Sequence, residues 1–490
     1  MADTESGTST DKTAAARPAN KRAVVLIHGM GNQSPMATLR GFVEAVWTTD
    51  DSLGGEDRRE TWAVPDTALG SHELKRITTR ADGKGIRTDF FEFYWAHLVH
   101  STQLSSVLWW VKHLLWRPLR RVPAEVRSRW FLAWAAMILL ALAVLWMAWS
   151  ALALVSSWFA VIPVWAHLAS AVGLGGLLWF LRHRILIEVV GDAARYLTAS
   201  PENIAARAAI RDAGVRLVRE LHGGAYDRII IAGHSLGSVI GYDILTIYWT
   251  EVRNRLAHDD PASLAALDAI EKAAAKRRAK SPAPLAEYRN RQREYARKLD
   301  DLSGGRWRIS DFVTLGSPLA HAHFLLVDDS ETPQGSEIKQ AKGWLADRFA
   351  LQKPDSVKTA FERVATLFGV RASQREFPVA PPQTEAGDEF SYRPEANEAR
   401  RLLHHAAPFA PVRWTNIFAK FKRGLRGDPI GGPVAPLFGP GVKDVPLEGG
   451  AASGFVAHGV YWQPPSGGSG VPPHITALRN ALNLADEDEV

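Results

Sequence analysis

At 490 residues the chain has room for two or more domains, or for one large α/β domain with insertions. It holds no cysteine, which excludes disulfides and thiolate metal sites and suits a reducing compartment. The formal charge of +6 is not a nucleic-acid signature, because the excess is local: residues 97–187 carry eight Lys/Arg against one acid, Glu125, and the rest of the chain sits at about −1. No nucleic-acid partner is expected, and a basic excess inside an apolar stretch points to lipid headgroups instead.

Residues 1–20 are rich in Ser, Thr and Ala and read as a disordered tail, with no signal peptide expected before Ala23. Ala23-Val24-Val25-Leu26-Ile27 reads as a buried parallel strand and runs into the turn His28-Gly29-Met30-Gly31. Asn32 to Trp47 reads as loop and helix. Residues 50–88 are polar and glycine-rich, expected as loops around one short strand at 61–64. Asp89 to Trp95 is a strand with aromatic weight. Residues 21–96 then make the first part of the main domain.

Residues 97–187 break this pattern. Residues 104–116 are rich in Leu and Trp with a single Lys, as in an amphipathic helix lying in a membrane interface. Arg117, Arg120, Arg121, Arg127 and Arg129 follow. Residues 131–155 are 25 uncharged positions, about 37 Å as a helix, enough for a hydrocarbon core of about 30 Å. A turn with Pro163 leads to a second uncharged run, 164–181, of about 27 Å, ending at Arg182-His183-Arg184. Ala169 and Gly173 give a small-residue spacing for close helix packing. With Trp95 included, the insert holds eleven of the eighteen tryptophans. A two-helix hairpin is expected, either spanning the bilayer or re-entrant in one leaflet. The basic flanks put the main domain on the cytoplasmic side of an inner or plasma membrane.

The second part of the domain is 188–490. Residues 188–221 read as a helix. Arg228-Ile229-Ile230-Ile231-Ala232 is a β-rich run, followed by Gly233-His234-Ser235-Leu236-Gly237 and then by a helical run from Ser238 to Leu245. Strand, tight Gly-x-Ser-x-Gly turn and helix lift one serine clear of a sheet and place it at a helix N-terminus, where free N–H groups can meet an oxyanion. Residues 250–301 are dense in charge and broken by Pro261, Pro282 and Pro284, expected as exposed helices forming a cap or a protein-binding arm. Arg308 to Leu315 is another strand, ending in Gly316-Ser317-Pro318. Residues 328–400 look like a variable insertion. Val412 to Phe418 is a strand followed by Asp428-Pro429-Ile430-Gly431, and Ala457-His458-Gly459-Val460-Tyr461-Trp462 lies beyond. His321 and His323 make an incomplete metal set, so no metal or organic cofactor is expected.

These motifs together resemble the α/β-hydrolase superfamily of the lipase and esterase type. The run from Gly233 to Leu245 is similar to the nucleophile segment of intracellular phospholipases. The resemblance implies an α/β fold with a mostly parallel sheet, interrupted here by the hairpin. It implies Ser235 as nucleophile, His458 as base, and Asp428 as the acid, with Asp444 as the rival acid. His474 and the pair His404 and His405 are set aside, the pair because it precedes the acid. The Met30 and Leu236 N–H groups become the oxyanion donors. His28, Gly29, Gly31, His234 and Ser317 border the substrate, and His28 is also read as a structural hydrogen-bonder. The implied activity is hydrolysis of carboxylic esters, with membrane lipid as first substrate. A thioesterase, a protein deacylase, or a membrane scaffold binding a partner through 250–301 are the other readings.

Overall fold

The computed structural model describes most of 21–98, the helix at 124–155, most of 201–322 and most of 378–485, with isolated positions at 112–122 and 169–197. The strands are β1 (Lys21–Ile27), β2 (Thr61–Pro65), β3 (Lys75–Thr79), β4 (Arg87–Phe93), β5 (Arg228–His234), β6 (Ile309–Leu315), β7 (Ser391–Tyr392), β8 (Leu402–Leu403), β9 (Arg413–Ala419) and β10 (Lys443–Leu447). Eight of them form one sheet in the order β10-β9-β6-β5-β1-β4-β3-β2, and β7 pairs with β8 apart from it. From β10 across to β4 every pairing is parallel, and β3 and β2 close the far edge antiparallel. This is a mostly parallel mixed sheet of an α/β fold.

The unbroken apolar runs in β1 and β5 follow from burial on both faces. Ala23, Val25, Ile27, Ile229 and Ile231 face one core, and Val24, Leu26, Ile230 and Ala232 face the other. The first core is closed by helices α3 (Pro201–Gly223), α4 (Leu236–Val252), α5 (Pro261–Arg278) and α6 (Leu285–Ser303). The second is closed by α1 (Ala37–Val43) and α7 (Pro473–Leu482). Parallel neighbours put the C-terminal ends of β1, β4, β5, β6 and β9 along one edge, and every loop that carries chemistry leaves from that edge.

Three expectations change. The single strand at 61–64 is a hairpin, since β3 pairs with β2 and joins it to β4. The helix expected over 188–221 is described at Tyr196 and Leu197 and as α3 from Pro201; residues 188–195 and 198–200 lie outside the described residues. The charged stretch 250–301 is not a free arm. Leu267, Ile270, Ala274, Tyr288, Tyr295 and Leu299 are buried in the first core. Arg289 donates to the Trp414 carbonyl of β9 at 2.9 Å and Gln292 to the Phe409 and Val412 carbonyls of the loop before it at 2.8 and 2.9 Å, so polar residues on α6 satisfy buried backbone. Of the hairpin, one helix is described, α2 (Ala124–Val155), seven residues longer at its basic end than expected. Its Trp130–Ser150 stretch is long and apolar enough to cross a membrane, with mean hydropathy 2.4, and its large apolar side chains stand exposed. Most of the second run, the interfacial helix at 104–116 and most of the insertion at 328–400 lie outside the described residues.

Candidate active site

Ser235 sits between the end of β5 and the start of α4 with φ 52° and ψ −127°, one of three non-glycine residues among those described with positive φ. Such backbone costs about 1–3 kcal/mol and persists only where its surroundings hold it. They do so here. The Ser235 N–H donates to the Leu315 carbonyl at 2.9 Å, tying the turn to β6. A Cβ on Gly233 would lie 2.6 Å from the Gly237 carbonyl oxygen, and one on Gly237 would meet the backbone of Ile27 and His28. Both glycines of the motif are therefore required sterically. Gly29 packs on the serine itself, where an added Cβ would be 2.9 Å from the Ser235 Cβ.

His458 lies in a short turn, Ala457–Gly459, near the C-terminus. Its Nε2 is 2.8 Å from Ser235 Oγ and its Nδ1 is 2.9 Å from Asp428 Oδ1. With the Nδ1 proton donated to Asp428, Nε2 is left to accept the serine proton. Asp428 follows β9 and is fully buried. Its Oδ1 also accepts the Ile430 and Gly431 N–H groups at 2.8 and 2.9 Å, and its Oδ2 accepts the Tyr461 hydroxyl. Burial opposes ionisation of Asp428, but the hydrogen bond and charge of His458, the Tyr461 hydroxyl and the Gly431 N–H outweigh it and hold the carboxyl well below the usual range. Two more glycines make room for it, since a Cβ on Gly316 or on Gly431 would lie 2.6 Å from Asp428 Oδ2.

Asp444, the rival acid, touches neither histidine nor serine. It sits on β10 opposite Asn416 of β9, and its carboxylate takes the Asn416 amide at 2.7 Å and the Val434 and Ala435 N–H groups at 2.9 Å. His474 bonds the Gln463 carbonyl at 2.9 Å and opens α7.

Leu236 is the first residue of α4, so its N–H has no partner within the helix and points from the positive end of the helix dipole. Met30 is partly buried against the first core, beside Gly29. Gly31 lies outside the described residues. Three residues expected to border the substrate are used inside the fold instead. His28 is fully buried; its Nδ1 bonds the Gly29 carbonyl at 2.8 Å, its Nε2 accepts the Trp95 N–H at 3.3 Å, and burial lowers its pKa to about 4. Its structural reading is the one its contacts match. Ser317 bonds Ser238 Oγ at 2.6 Å and accepts the Leu319 N–H, so the Gly-Ser-Pro turn serves the site through Gly316 rather than through the serine. His234 turns its ring onto His458, Tyr461 and Trp462, and its Nε2 bonds the His458 carbonyl at 2.8 Å. Burial, and then the neighbouring His458, bring its pKa down to about 3, so it is the neutral Nε2–H form that donates.

Tyr461 was not singled out by sequence. The available signal was its place three residues after His458, which turns it back onto the same carboxylate. Among the described residues no group of three or more His, Cys, Asp or Glu side chains is placed to hold a metal ion. Comparison of the chain with known protein families, with characterised proteins and with solved structures finds no match.

Proposed function

We propose that this chain is a membrane-anchored α/β-hydrolase that cleaves carboxylic esters, with membrane lipid as substrate. The observation that carries the reading is the hydrogen-bonded series Ser235–His458–Asp428 on the C-terminal edge of a parallel sheet, with the serine in a strained strand-to-helix turn. The chain order Ser, Asp, His also fits that fold.

In the proposed mechanism Ser235 Oγ attacks the ester carbonyl as its proton passes to His458 Nε2. The Met30 and Leu236 N–H groups hold the oxyanion, each such donor contributing on the order of 10²–10³ in rate. Asp428 keeps the imidazole in the Nδ1–H tautomer and stabilises the imidazolium. His458 returns the proton to the leaving alcohol. Water, deprotonated by His458, then cleaves the acyl-serine, releasing the acid and restoring Ser235.

The lipid assignment rests on α2. Ten large apolar side chains along it stand exposed, among them Leu139 at 67% and Leu145 at 64%. At about 1.5–3 kcal/mol for full burial of each, moving them from water into hydrocarbon is worth on the order of 10 kcal/mol. The sheet topology adds a constraint. β1 and β4 precede α2, and β5, β6, β9 and β10 follow it, yet all belong to one sheet. A single crossing would put the two halves of that sheet on opposite sides of a bilayer. If α2 crosses, the chain must recross before β5, and 164–181 is the uncharged run available for it. The rings of Trp116, Trp130 and Trp134 cluster at the N-terminal end of α2, where Arg127 lies exposed in its first turn, as at a cytoplasmic interface.

The test is fluorophosphonate labelling of the detergent-solubilised full chain beside Ser235→Ala and His458→Ala. Labelling of wild type that both substitutions abolish is expected, followed by fatty-acid release from phospholipid vesicles. Labelling that persists in Ser235→Ala would refute the nucleophile. Labelling with turnover of acyl thioesters alone would move the substrate away from lipid esters.

A further inference from the structure

The insert leaves and rejoins the domain beside the serine. β4 runs parallel to β1 and β5, so its C-terminal end lies on the edge that carries Ser235. Two residues later comes Trp95, at the junction with the insert, and it is clamped to the loop after β1. Its N–H donates to His28 Nε2 at 3.3 Å, its indole N–H donates to the His28 carbonyl at 3.0 Å, and its ring stacks on the His28 ring at 5.1 Å and 8°. The Tyr94 and His97 rings stack beside it, 5.8 Å apart. The same loop is pinned further along, where the Met36 N–H donates to Glu92 of β4 at 2.8 Å.

The return is at the same edge. α3 leads into β5, which begins at the opposite edge, so the Pro201 end of α3 lies on the Ser235 side. Just before it, Tyr196 and Leu197 are buried in the first core, and the Tyr196 hydroxyl donates at 2.6 Å to Asp243, about two turns into the helix that Ser235 opens.

We infer that the sheet edge bearing Ser235 is the surface that docks on the lipid headgroups, so that an ester reaches the serine from the leaflet rather than from bulk water. The inference rests on α2 entering the bilayer, as proposed above. With the opposite edge on the membrane, both connections would have to run back along the whole sheet, about 23 Å for the seven residues of β5. The cluster of Trp116, Trp130 and Trp134 belongs to the end of α2 that is nearer Trp95 along the chain, which sets the headgroup level on the domain side. The Trp95–His28 clamp then joins the membrane insert directly to the loop that presents Met30.

The absence of cysteine allows a clean test, since any introduced cysteine is the only label site. Three full-length variants carry an environment-sensitive thiol fluorophore: Ser34→Cys, exposed in the loop after β1; Asp227→Cys, exposed just before β5; and Leu139→Cys in α2. Each is reconstituted into vesicles of phosphatidylcholine and phosphatidylglycerol doped with lipid nitroxides at either headgroup or mid-chain. The expected result is loss of Leu139 emission to the mid-chain quencher, loss of Ser34 emission to the headgroup quencher, and unchanged Asp227 emission. Asp227 quenched as much as or more than Ser34, or neither quenched, with Leu139 still quenched, would overturn the orientation while leaving the anchor in place. Leu139 untouched by the mid-chain quencher would overturn the anchor and the orientation together. Fluorophosphonate labelling of the same variants reports the esterase reading separately.

Discussion

Gly316→Ala tests whether the acid is held by the fold. Gly316 has φ 56°, where an L-residue costs about 1–2 kcal/mol. The new Cβ would stand 2.6 Å from Asp428 Oδ2, 2.8 Å from Tyr461 Cε2 and 3.0 Å from the Tyr461 hydroxyl. Carbon–oxygen contacts relax only near about 3.3 Å, so the carboxylate must retreat by roughly 0.7 Å. The backbone of Gly316 has little freedom to yield, since its N–H donates to the Ile417 carbonyl at 3.0 Å. A displacement of about 1 Å in a catalytic group costs on the order of 10² in rate. The expected outcome is a fall of about 10²-fold in kcat with little change in KM, a matching fall in the fluorophosphonate reaction rate, and a stability loss of a few kcal/mol by thermal unfolding. If the alanine acts through Asp428, then Gly316→Ala/Asp428→Ala reacts no more slowly than Asp428→Ala, because the two changes share one target. Wild-type kcat in Gly316→Ala, or a double variant slower by the product of the two single effects, would refute the reasoning.

Asp428→Asn is expected to lower kcat by about 10⁴-fold by losing the tautomer control of His458, while Asp444→Ala lowers stability by about 1–3 kcal/mol and leaves kcat intact; steady-state kinetics and unfolding midpoints of the pair check this. Glu92 is fully buried on β4, and burial raises its pKa from 4.5 to about 7 against the Met36 N–H bond. The folded state therefore holds a proton that the unfolded state has lost, and this contribution to stability declines as pH rises from 4.5 to about 7. Glu92→Gln should remove that decline. The buried His28 and His234 have lowered pKa values, so they lose stability in the opposite sense as pH falls below 6.5. They are common to both proteins, so the difference in unfolding midpoint between wild type and variant across this window isolates Glu92. A constant difference would show that Glu92 does not titrate there.

Short-range sterics were legible in the sequence. The Gly-x-Ser-x-Gly turn announces itself because both glycines answer to backbone within a few residues or on the adjoining strand, and the short β-branched run before it reads as a buried strand. The helix pair α5 and α6 was misread for the opposite reason. Its charged residues look solvated, but Arg289 and Gln292 meet carbonyls more than a hundred residues away. β3 carries no such local signal, because a short strand with few apolar residues owes its existence to its partners on either side, β2 and β4.

What the sequence determined by itself was the kind of elements: buried parallel strands, a serine on a strand-to-helix turn, and an apolar helix that water does not favour. Each follows from local periodicity, glycine sterics or side-chain transfer energy, which need no knowledge of distant residues. Only the tertiary structure decided between Asp428 and Asp444. Both are aspartates that precede the same histidine, Asp428 in the loop after β9 and Asp444 on β10. Register puts Asp444 opposite Asn416, where its carboxylate is used up, while the loop after β9 folds Asp428 under His458 and Tyr461. The edge from which the insert leaves was decided in the same way, because the direction of a strand within a sheet is set by its neighbours and not by its own residues.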